Sequence, residues 1–249
     1  MTSKAVLDHV AIAAPQLVDG WELFGGVLGG SWLYGGDSPG FWWGQLGFTG
    51  GPKIELLTPT GGPDAAFLER FLAARGAGPH HLNFIVPDIN DTLARVREMG
   101  IEPVQVSLAN PAWKEAFLRP KDAHGIVIQV AEQSGSPRLA APAELPVPGP
   151  PAAFALVEHY VGDLDEAIRL YSEALDGEVV SRPAADGASV VDLAWDNGAL
   201  LRLVALGPGS GPCLGPLTFA RDGDGFGAAE RSQAALLARR LAVSVQLGD

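Results

Sequence analysis

The chain has 249 residues, of which 47% are hydrophobic and 18% charged, a composition typical of a globular protein with a substantial core. Its net charge is −12 and its 17 basic residues are scattered, so it lacks the basic face that nucleic-acid binding requires. No run of about 18 apolar residues is present, which excludes a membrane-spanning helix of the usual kind. We therefore expect neither a nucleic-acid partner nor a membrane partner.

The expected location follows from two further features of the sequence. Met1 and the polar residues after it lead into a strand pattern without an apolar segment, so we expect no signal peptide. The single cysteine, Cys213, cannot form an internal disulfide and fits a reducing compartment. We predict a cytoplasmic protein, and the abundance of Ala, Gly and Pro with few lysines indicates a GC-rich bacterial source.

The N-terminal half contains one sequence pattern twice. Residues 8–17 match residues 80–89 position for position, and both read as short apolar strands that end at a proline. A helical pattern follows each proline and runs into glycine, at Gly29-Gly30 and at Gly100. Three strand patterns complete each copy, near 31–35, 41–48 and 53–58 in the first and near 102–107, 114–119 and 125–131 in the second.

A predicted helix over residues 64–75 joins the two copies, so each copy is βαβββ. We predict an α+β fold in which paired βαβββ modules form a half-barrel cleft. Residues 134–151 carry six prolines without apolar periodicity and are predicted to be an extended linker. The predicted domains are therefore a metal-binding domain over 1–133, this linker, and a second domain over 152–249.

The pattern starts again after the linker. The third copy has a strand over 154–161, a helix over 163–175, and strands near 178–182, 188–195 and 199–205. Residues 214–249 hold one strand, a helix over 228–240 and a last strand-like segment, so the fourth copy is truncated.

Four polar side chains occupy equivalent strand positions in the first two copies. His9 and His81 each lie six residues before the terminating proline, and Glu55 and Gln129 share a position in the last strand. Burial of a lone imidazole or carboxylate among Ile, Leu and Val is costly unless the group is paired. If the copies pair about a pseudo-twofold axis, the four side chains converge on one point. The alternative is that each is a core residue with its own hydrogen bonds.

This donor set predicts one divalent metal ion. Two imidazoles, one carboxylate and one amide oxygen suit Zn, Co, Ni, Fe or Mn better than Ca. They also leave positions for a substrate oxygen or water.

Trp43, Trp113 and Lys121 are the candidate substrate-binding residues. Strand alternation points one of Trp42 and Trp43 into the cleft, although such aromatic residues also form cores. Lys121 could bind a carboxylate, a phosphate or an acyl-CoA tail of the substrate, although exposed lysines are usually solvated surface residues. His80 and His124 are interpreted as structural residues.

The repeat, the ligand positions and three motifs resemble the vicinal-oxygen-chelate superfamily, which includes glyoxalase I, extradiol dioxygenases and methylmalonyl-CoA epimerase. The resemblance covers about residues 5–132 and is closest to the epimerases. The motifs are residues 54–59, 78–84 and 117–129. The epimerases carry a glutamate, both ligand and base, where this chain has Gln129. Their second catalytic glutamate falls near Ser38, beside Asp37.

The resemblance implies a metal-dependent isomerase, epimerase or lyase. It would act on a small carbonyl or acyl substrate, acyl-CoA included, through a metal-stabilised enolate-like intermediate. A neutral amide cannot abstract a proton, so Glu55 or Asp37 is the candidate catalytic base. One alternative is an iron-dependent extradiol-type oxygenase, since two histidines and one carboxylate form a facial triad. Another is a non-catalytic drug-sequestering protein, although those relatives generally lack the metal ligands.

The third and fourth copies lack the ligand set. Their equivalent positions carry Leu156, Arg202 and Pro216, and His159 lies out of register. We expect this half to cover the cleft or to replace a dimer partner, which makes the protein a monomer with an internal pseudo-dimer or a homodimer.

Overall fold

The computed structural model describes residues 3–135, 140–142, 145–184, 188–207 and 210–248. In the first copy, strand β1 leads into helix α1, whose last turns, Glu22–Val27, are π-helical. Helix α2 follows a 3-10 turn, Pro63–Ala65, and joins the first copy to the second. The elements are β1 (Val6–Ala13), α1 (Leu17–Trp21), β2 (Ser31–Ser38), β3 (Phe41–Gly47), β4 (Lys53–Pro59) and α2 (Ala66–Arg75).

The second copy repeats this order. Its elements are β5 (Gly78–Ile85), α3 (Ile89–Glu98), β6 (Val104–Ser107), β7 (Trp113–Leu118) and β8 (Val127–Gln133). Asp88 caps α3, since its Oδ1 accepts from the backbone N–H of Asn90 at 2.8 Å. Gly100, with φ +79°, follows the end of the helix in the left-handed conformation that glycine tolerates.

The third copy has the same elements and the fourth has fewer. They are β9 (Ala153–Val161), α4 (Leu164–Arg169) with a π-helical extension Leu170–Ala174, β10 (Glu178–Ser181), β11 (Val190–Ala194) and β12 (Leu200–Ala205), then β13 (Cys213–Ala220), α5 (Ala228–Arg240) and β14 (Val245–Leu247). Within the described residues the fourth copy keeps one helix and two strands, as the truncated pattern predicts.

The strands form two sheets, and the strand order follows the repeat. The eight-stranded sheet, a curled half-barrel, has the order β2-β3-β4-β1-β5-β8-β7-β6, and the six-stranded sheet has the order β10-β11-β12-β9-β13-β14. First and last strands pair in parallel within the later copies, as β5 with β8, β9 with β12, and β13 with β14. The predicted α+β class with paired βαβββ modules is confirmed.

Strand β2 extends beyond its predicted end at residue 35. The dipeptide Gly35-Gly36 suggests a turn, but both residues stay in the strand, opposite Gly44 and Trp43 of β3. A Cβ atom on Gly35 would lie 2.5 Å from the carbonyl oxygen of Trp43. Glycine is therefore needed here for close strand approach, which local sequence does not distinguish from a turn.

By contacts the chain forms two compact units. The first comprises Met1–His9, His81–Ser136 and Leu156–Gly215, so it combines the second and third copies. In it, the ring of Phe84 lies 5.9 Å from that of Tyr171 and 5.5 Å from that of Trp195. Arg95 donates to Asp176 Oδ1 at 2.7 Å, which ties α3 to the third copy.

The second unit comprises Val10–His80, Pro137–Ala155 and Pro216–Asp249, so it combines the first and fourth copies. The ring of Phe154 stacks on that of Phe219 at 4.5 Å, and Phe48 contacts both rings. Arg240 on α5 pairs with Asp19 and Glu22 of the first helix at 3.1 and 3.2 Å. The domain boundaries at 133/134 and 151/152 stay a prediction.

The predicted linker is partly visible. Its residues 136–139 and 143–144 lie outside the described residues. The later part packs along the π-helical turns of the first helix. There, Gly149 N donates to Gly25 O at 3.0 Å and Trp21 Nε1 donates to Pro146 O at 2.9 Å.

The longest described helix, Ala228–Arg240, has 13 residues, and none of the described helices has the length and hydrophobicity of a bilayer span.

Candidate metal centre

His9 on β1, Glu55 on β4 and His81 on β5 form a group of potential metal ligands. Each offers one ligand atom, and these atoms all lie within 4.8 Å of one another. The three residues are buried, with exposed fractions of 1%, 8% and 5%. The structure therefore brings together three of the four ligands that the repeat predicts.

The two histidines lie close together, and a neighbouring carboxylate orients one of them. Their ring centroids are 5.5 Å apart in an edge-to-face arrangement. His9 Nδ1 lies 2.9 Å from Asp8 Oδ2. Because a carboxylate accepts hydrogen bonds, Nδ1 carries a proton in this pair, which leaves Nε2 as the ring nitrogen that can coordinate a metal. Sequence analysis missed Asp8, although it directly precedes the histidine.

An amide holds the carboxylate of Glu55. Gln45 faces Glu55 across the β3–β4 register, and its Nε2 donates to Glu55 Oε2 at 2.7 Å. Gln45 is 4% exposed, so this hydrogen bond is shielded from water. Such an outer partner fixes the direction of a ligating carboxylate. The signal in the sequence is a glutamine among apolar strand residues.

Gln129 on β8 is buried beside the second histidine strand. It pairs in register with Asn83, which lies two residues after His81 and hence on the same face of β5. Asn83 Nδ2 donates to Gln129 Oε1 at 2.8 Å, and Gln129 Nε2 donates to Glu115 Oε2 at 2.7 Å. Ligation by Gln129 stays a prediction. Asn83 and Glu115 were not identified from the sequence.

Asp37 does not join this group. It is exposed and pairs with Trp42 across the β2–β3 register, whereas Gln45 belongs to the opposite face of β3. Strand alternation thus directs Asp37 away from the face that carries Glu55. Glu55 is the predicted base that lies in the ligand group.

The three predicted substrate-binding residues differ in placement. Trp43 lies on the same strand face as Gln45. The centroid of its ring lies 6.1 Å from that of Tyr34, and the side chain also packs on a hydrophobic cluster that includes Leu57. Trp113 lies on the same face of β7 as Glu115, and its Nε1 donates to Glu115 Oε2 at 2.9 Å. Lys121 is 70% exposed and lies 3.7 Å from Asp122 in the β7–β8 turn, so it behaves as surface.

The two histidines interpreted as structural have other surroundings. The ring of His80 lies 4.8 Å from Phe71 and 6.0 Å from Phe67, and burial lowers the pKa of His80 to about 4. His124 lies in the β7–β8 turn with φ +51°, and burial lowers its pKa while Glu166 and Asp163 oppose that shift.

The third copy carries an ion pair at the equivalent position. Arg202 Nε donates to Asp192 Oδ1 at 2.7 Å and Arg202 Nη2 to Asp192 Oδ2 at 3.0 Å. These hydrogen bonds hold the pKa of Asp192 below its usual value.

The chemistry of the buried donor set fits a divalent transition metal. Two imidazole nitrogens and one carboxylate oxygen suit Zn, Co, Ni, Fe or Mn, whereas Ca prefers oxygen ligands alone.

Residues 8–117 match the family model described as the Glyoxalase/Bleomycin resistance protein/Dioxygenase superfamily. Over these residues the chain is similar to that superfamily. Glyoxalases and dioxygenases, two of the three protein types in the name of this superfamily, are enzymes.

Solved structures similar to this chain include a hydroxymandelate synthase and methylmalonyl-CoA epimerases. A mutant of 4-hydroxymandelate synthase from Streptomyces coelicolor is 14% identical, with a TM-score of 0.62 over 95% of this chain and 76% of that chain. Methylmalonyl-CoA epimerase from Mycobacterium tuberculosis is 26% identical over 54% of this chain and 93% of its own, with a TM-score of 0.45. A variant of the methylmalonyl-CoA epimerase from Streptomyces coelicolor, in complex with 2-nitronate-propionyl-CoA, is 23% identical over 52% and 97%, with a TM-score of 0.44.

The synthase similarity extends over nearly the whole chain and agrees with the duplicated fold, while no curated protein matches the sequence.

Proposed function

We propose that this protein is a metal-dependent isomerase, epimerase or lyase that acts on a small carbonyl or acyl substrate, acyl-CoA thioesters included. The observation that carries the proposal is the buried group of His9, Glu55 and His81, whose ligand atoms lie within 4.8 Å of one another. A bound divalent cation would polarise a substrate carbonyl and stabilise negative charge on its oxygen.

The roles of the protein groups follow from their chemistry. His9, Glu55 and His81 hold the cation in this proposal, with Gln129 as the fourth ligand. Asp8 orients the imidazole of His9 and Gln45 orients the carboxylate of Glu55. Glu55 is the proposed base because it is the carboxylate of the group, whereas the amide of Gln129 cannot accept a proton. Trp43 and Trp113 are the proposed aromatic contacts of the substrate.

Metal content of the purified protein is the first test. We expect about one transition-metal ion per chain by elemental analysis, since the set supplies three strong donors. The His81→Ala variant should lose at least about 100-fold in metal affinity, the upper range found for outer-shell partners alone. His124→Asn, which changes a histidine outside the group, should keep the wild-type affinity. Equal affinity of both variants would contradict the assignment.

Substrate class is tested by proton exchange. The metal-loaded protein should incorporate deuterium from D₂O at the carbon next to the carbonyl of 2-substituted acyl-CoA thioesters or small ketones. Exchange should disappear in His81→Ala. Absence of exchange across such a panel with a fully loaded protein would argue against an enolate-type reaction.

A second candidate function is an iron-dependent oxygenase of the extradiol type. The donor types favour it, because two histidines and one carboxylate also make up the facial triad of non-haem iron oxygenases. Protein loaded anaerobically with Fe²⁺ should then consume oxygen when catechols are added. Deuterium exchange without oxygen uptake would favour the isomerase class instead.

A further inference from the structure

A hydrogen-bonded network surrounds Gln129 on strands β5, β7 and β8. Asn83 Nδ2 donates to Gln129 Oε1 at 2.8 Å, and Gln129 Nε2 donates to Glu115 Oε2 at 2.7 Å. Trp113 Nε1 donates to the same Glu115 oxygen at 2.9 Å. Gln129 is 8% exposed and Asn83 is fully buried, so water competes little for these hydrogen bonds.

The network fixes the orientation of the side-chain amide of Gln129. A carboxylate accepts hydrogen bonds and donates none, so the amide nitrogen of Gln129 must face Glu115. The amide oxygen therefore points to the opposite side, where Asn83 occupies one of its two lone pairs. An amide oxygen has two lone pairs, so in the proposed site the second one would bind the cation. A flipped amide would place its oxygen against the Glu115 carboxylate.

The first copy has the inverse arrangement at the equivalent position. There the ligand strand carries a carboxylate, Glu55, and the neighbouring strand supplies the amide, Gln45, whose Nε2 donates at 2.7 Å. In the second copy the ligand strand carries the amide and the neighbouring strand supplies the carboxylate. Each copy thus holds one amide and one carboxylate, with the amide on the neighbouring strand in the first copy and on the ligand strand in the second, although Glu115 lies two residues away from the position opposite Gln129.

We propose that Glu115 is a positioning residue that keeps the amide oxygen of Gln129 turned toward bound metal, and that its carboxylate is the reason position 129 carries an amide. This inference rests on the proposed metal-dependent function. A glutamate at 129 would put two carboxylates within 2.7 Å of each other, replacing a hydrogen bond by charge repulsion.

The test uses Co²⁺ and four full-length variants. Glu115→Gln should weaken Co²⁺ binding about tenfold and change the visible absorption of the bound ion, because outer-shell partners typically contribute 10–100-fold. Gln129→Glu should lower Co²⁺ affinity and the denaturant midpoint. The double variant Glu115→Gln with Gln129→Glu restores the hydrogen bond with roles exchanged, so it should recover at least wild-type affinity.

Glu132→Gln is the matched control. Glu132 is also a carboxylate of this sheet, but it pairs with Lys114 and accepts from Ile89 N at 3.0 Å. Its loss should lower the denaturant midpoint and leave the Co²⁺ spectrum unchanged. An unchanged spectrum in Glu115→Gln, or a double variant no better than Gln129→Glu, would overturn the positioning role alone. Wild-type protein that takes up no Co²⁺ would overturn the metal function and this inference together.

Discussion

At the scale of single residues, three of the four predicted ligands each have an outer hydrogen-bond partner. Asp8 holds His9, Gln45 holds Glu55 and Glu115 holds Gln129. The repeat pattern predicts the inner member of each pair because both copies share its position. The outer members occupy different positions in the two copies, so the repeat does not reveal them. Only the side-chain geometry of the folded protein shows these partners.

His159 shows a buried histidine that is not a ligand. Its Nε2 lies 2.7 Å from His124 O, and Tyr171 Oη lies 2.9 Å from its Nδ1. A carbonyl oxygen accepts, so Nε2 carries the proton and Nδ1 accepts from Tyr171. Burial lowers the pKa of His159 to about 4 and raises that of Tyr171. Both groups are therefore neutral in the folded protein near pH 7.

The burial of His159 predicts a pH dependence of stability. His159 titrates near 6.5 when unfolded and near 4 when folded, so the unfolded state binds more protons between these values. The contribution of His159 is complete above pH 6.5 and is lost as pH falls toward 4. At pH 5 the loss should be about 2 kcal/mol, since one pKa unit corresponds to about 1.4 kcal/mol.

Urea unfolding of wild type and His159→Gln between pH 7.5 and 5 measures this term. Glutamine can make both hydrogen bonds without titrating, so the stability of the variant should fall less steeply with decreasing pH. His80, whose pKa is also lowered to about 4, titrates in both proteins and cancels from the difference. Parallel pH profiles would contradict the assignment.

At the scale of elements, the later part of the predicted linker packs closely against the end of the first helix, where Gly29 leaves room for it. Gly29 has φ +68° at the end of the first helix, and a Cβ atom there would lie 2.1 Å from Pro150 O. Arg221 adds to this contact, since its Nη2 donates to Val27 O and Pro150 O, each at 3.0 Å. A Pro-rich segment that reads as a spacer in the sequence is thus docked over part of its length.

Gly29→Ala and Gly100→Ala form a matched pair for testing this contact. Both glycines have positive φ, so alanine costs about 1–2 kcal/mol of backbone strain at either position. No atom lies within 4 Å of a Cβ placed on Gly100, whereas one on Gly29 would overlap the backbone of Pro150. We expect a clearly larger loss of unfolding free energy for Gly29→Ala in urea titrations. Equal losses would mean that the linker does not pack against the helix.

At the scale of the whole molecule, each compact unit combines one copy from the N-terminal half with one from the C-terminal half. One unit joins the second and third copies and the other joins the first and fourth. The aromatic contacts of Phe84 with Tyr171 and of Phe48 with Phe219 are formed within the same chain. The internal pseudo-dimer, in which the C-terminal half takes the place of a second copy, stays a prediction.

Analytical ultracentrifugation tests that prediction. Because the module faces are covered within one chain, we expect the full-length protein to sediment as a monomer of 25.9 kDa at micromolar concentration. Phe84→Ala should lower its unfolding free energy by about 3–5 kcal/mol, the usual cost of truncating a buried phenylalanine. A stable species of twice the monomer mass would favour the homodimer alternative.

The sequence by itself determined the element order, the duplicated βαβββ pattern and the strand positions of His9, Glu55, His81 and Gln129. Alternation, helix periodicity, and proline and glycine boundaries are local properties, so a single sequence contains them. The tertiary structure alone decided that Glu115 contacts Gln129, that Asp37 faces away, and that the second copy combines with the third. These features depend on strand register and on packing between residues far apart in the chain, which no local pattern specifies.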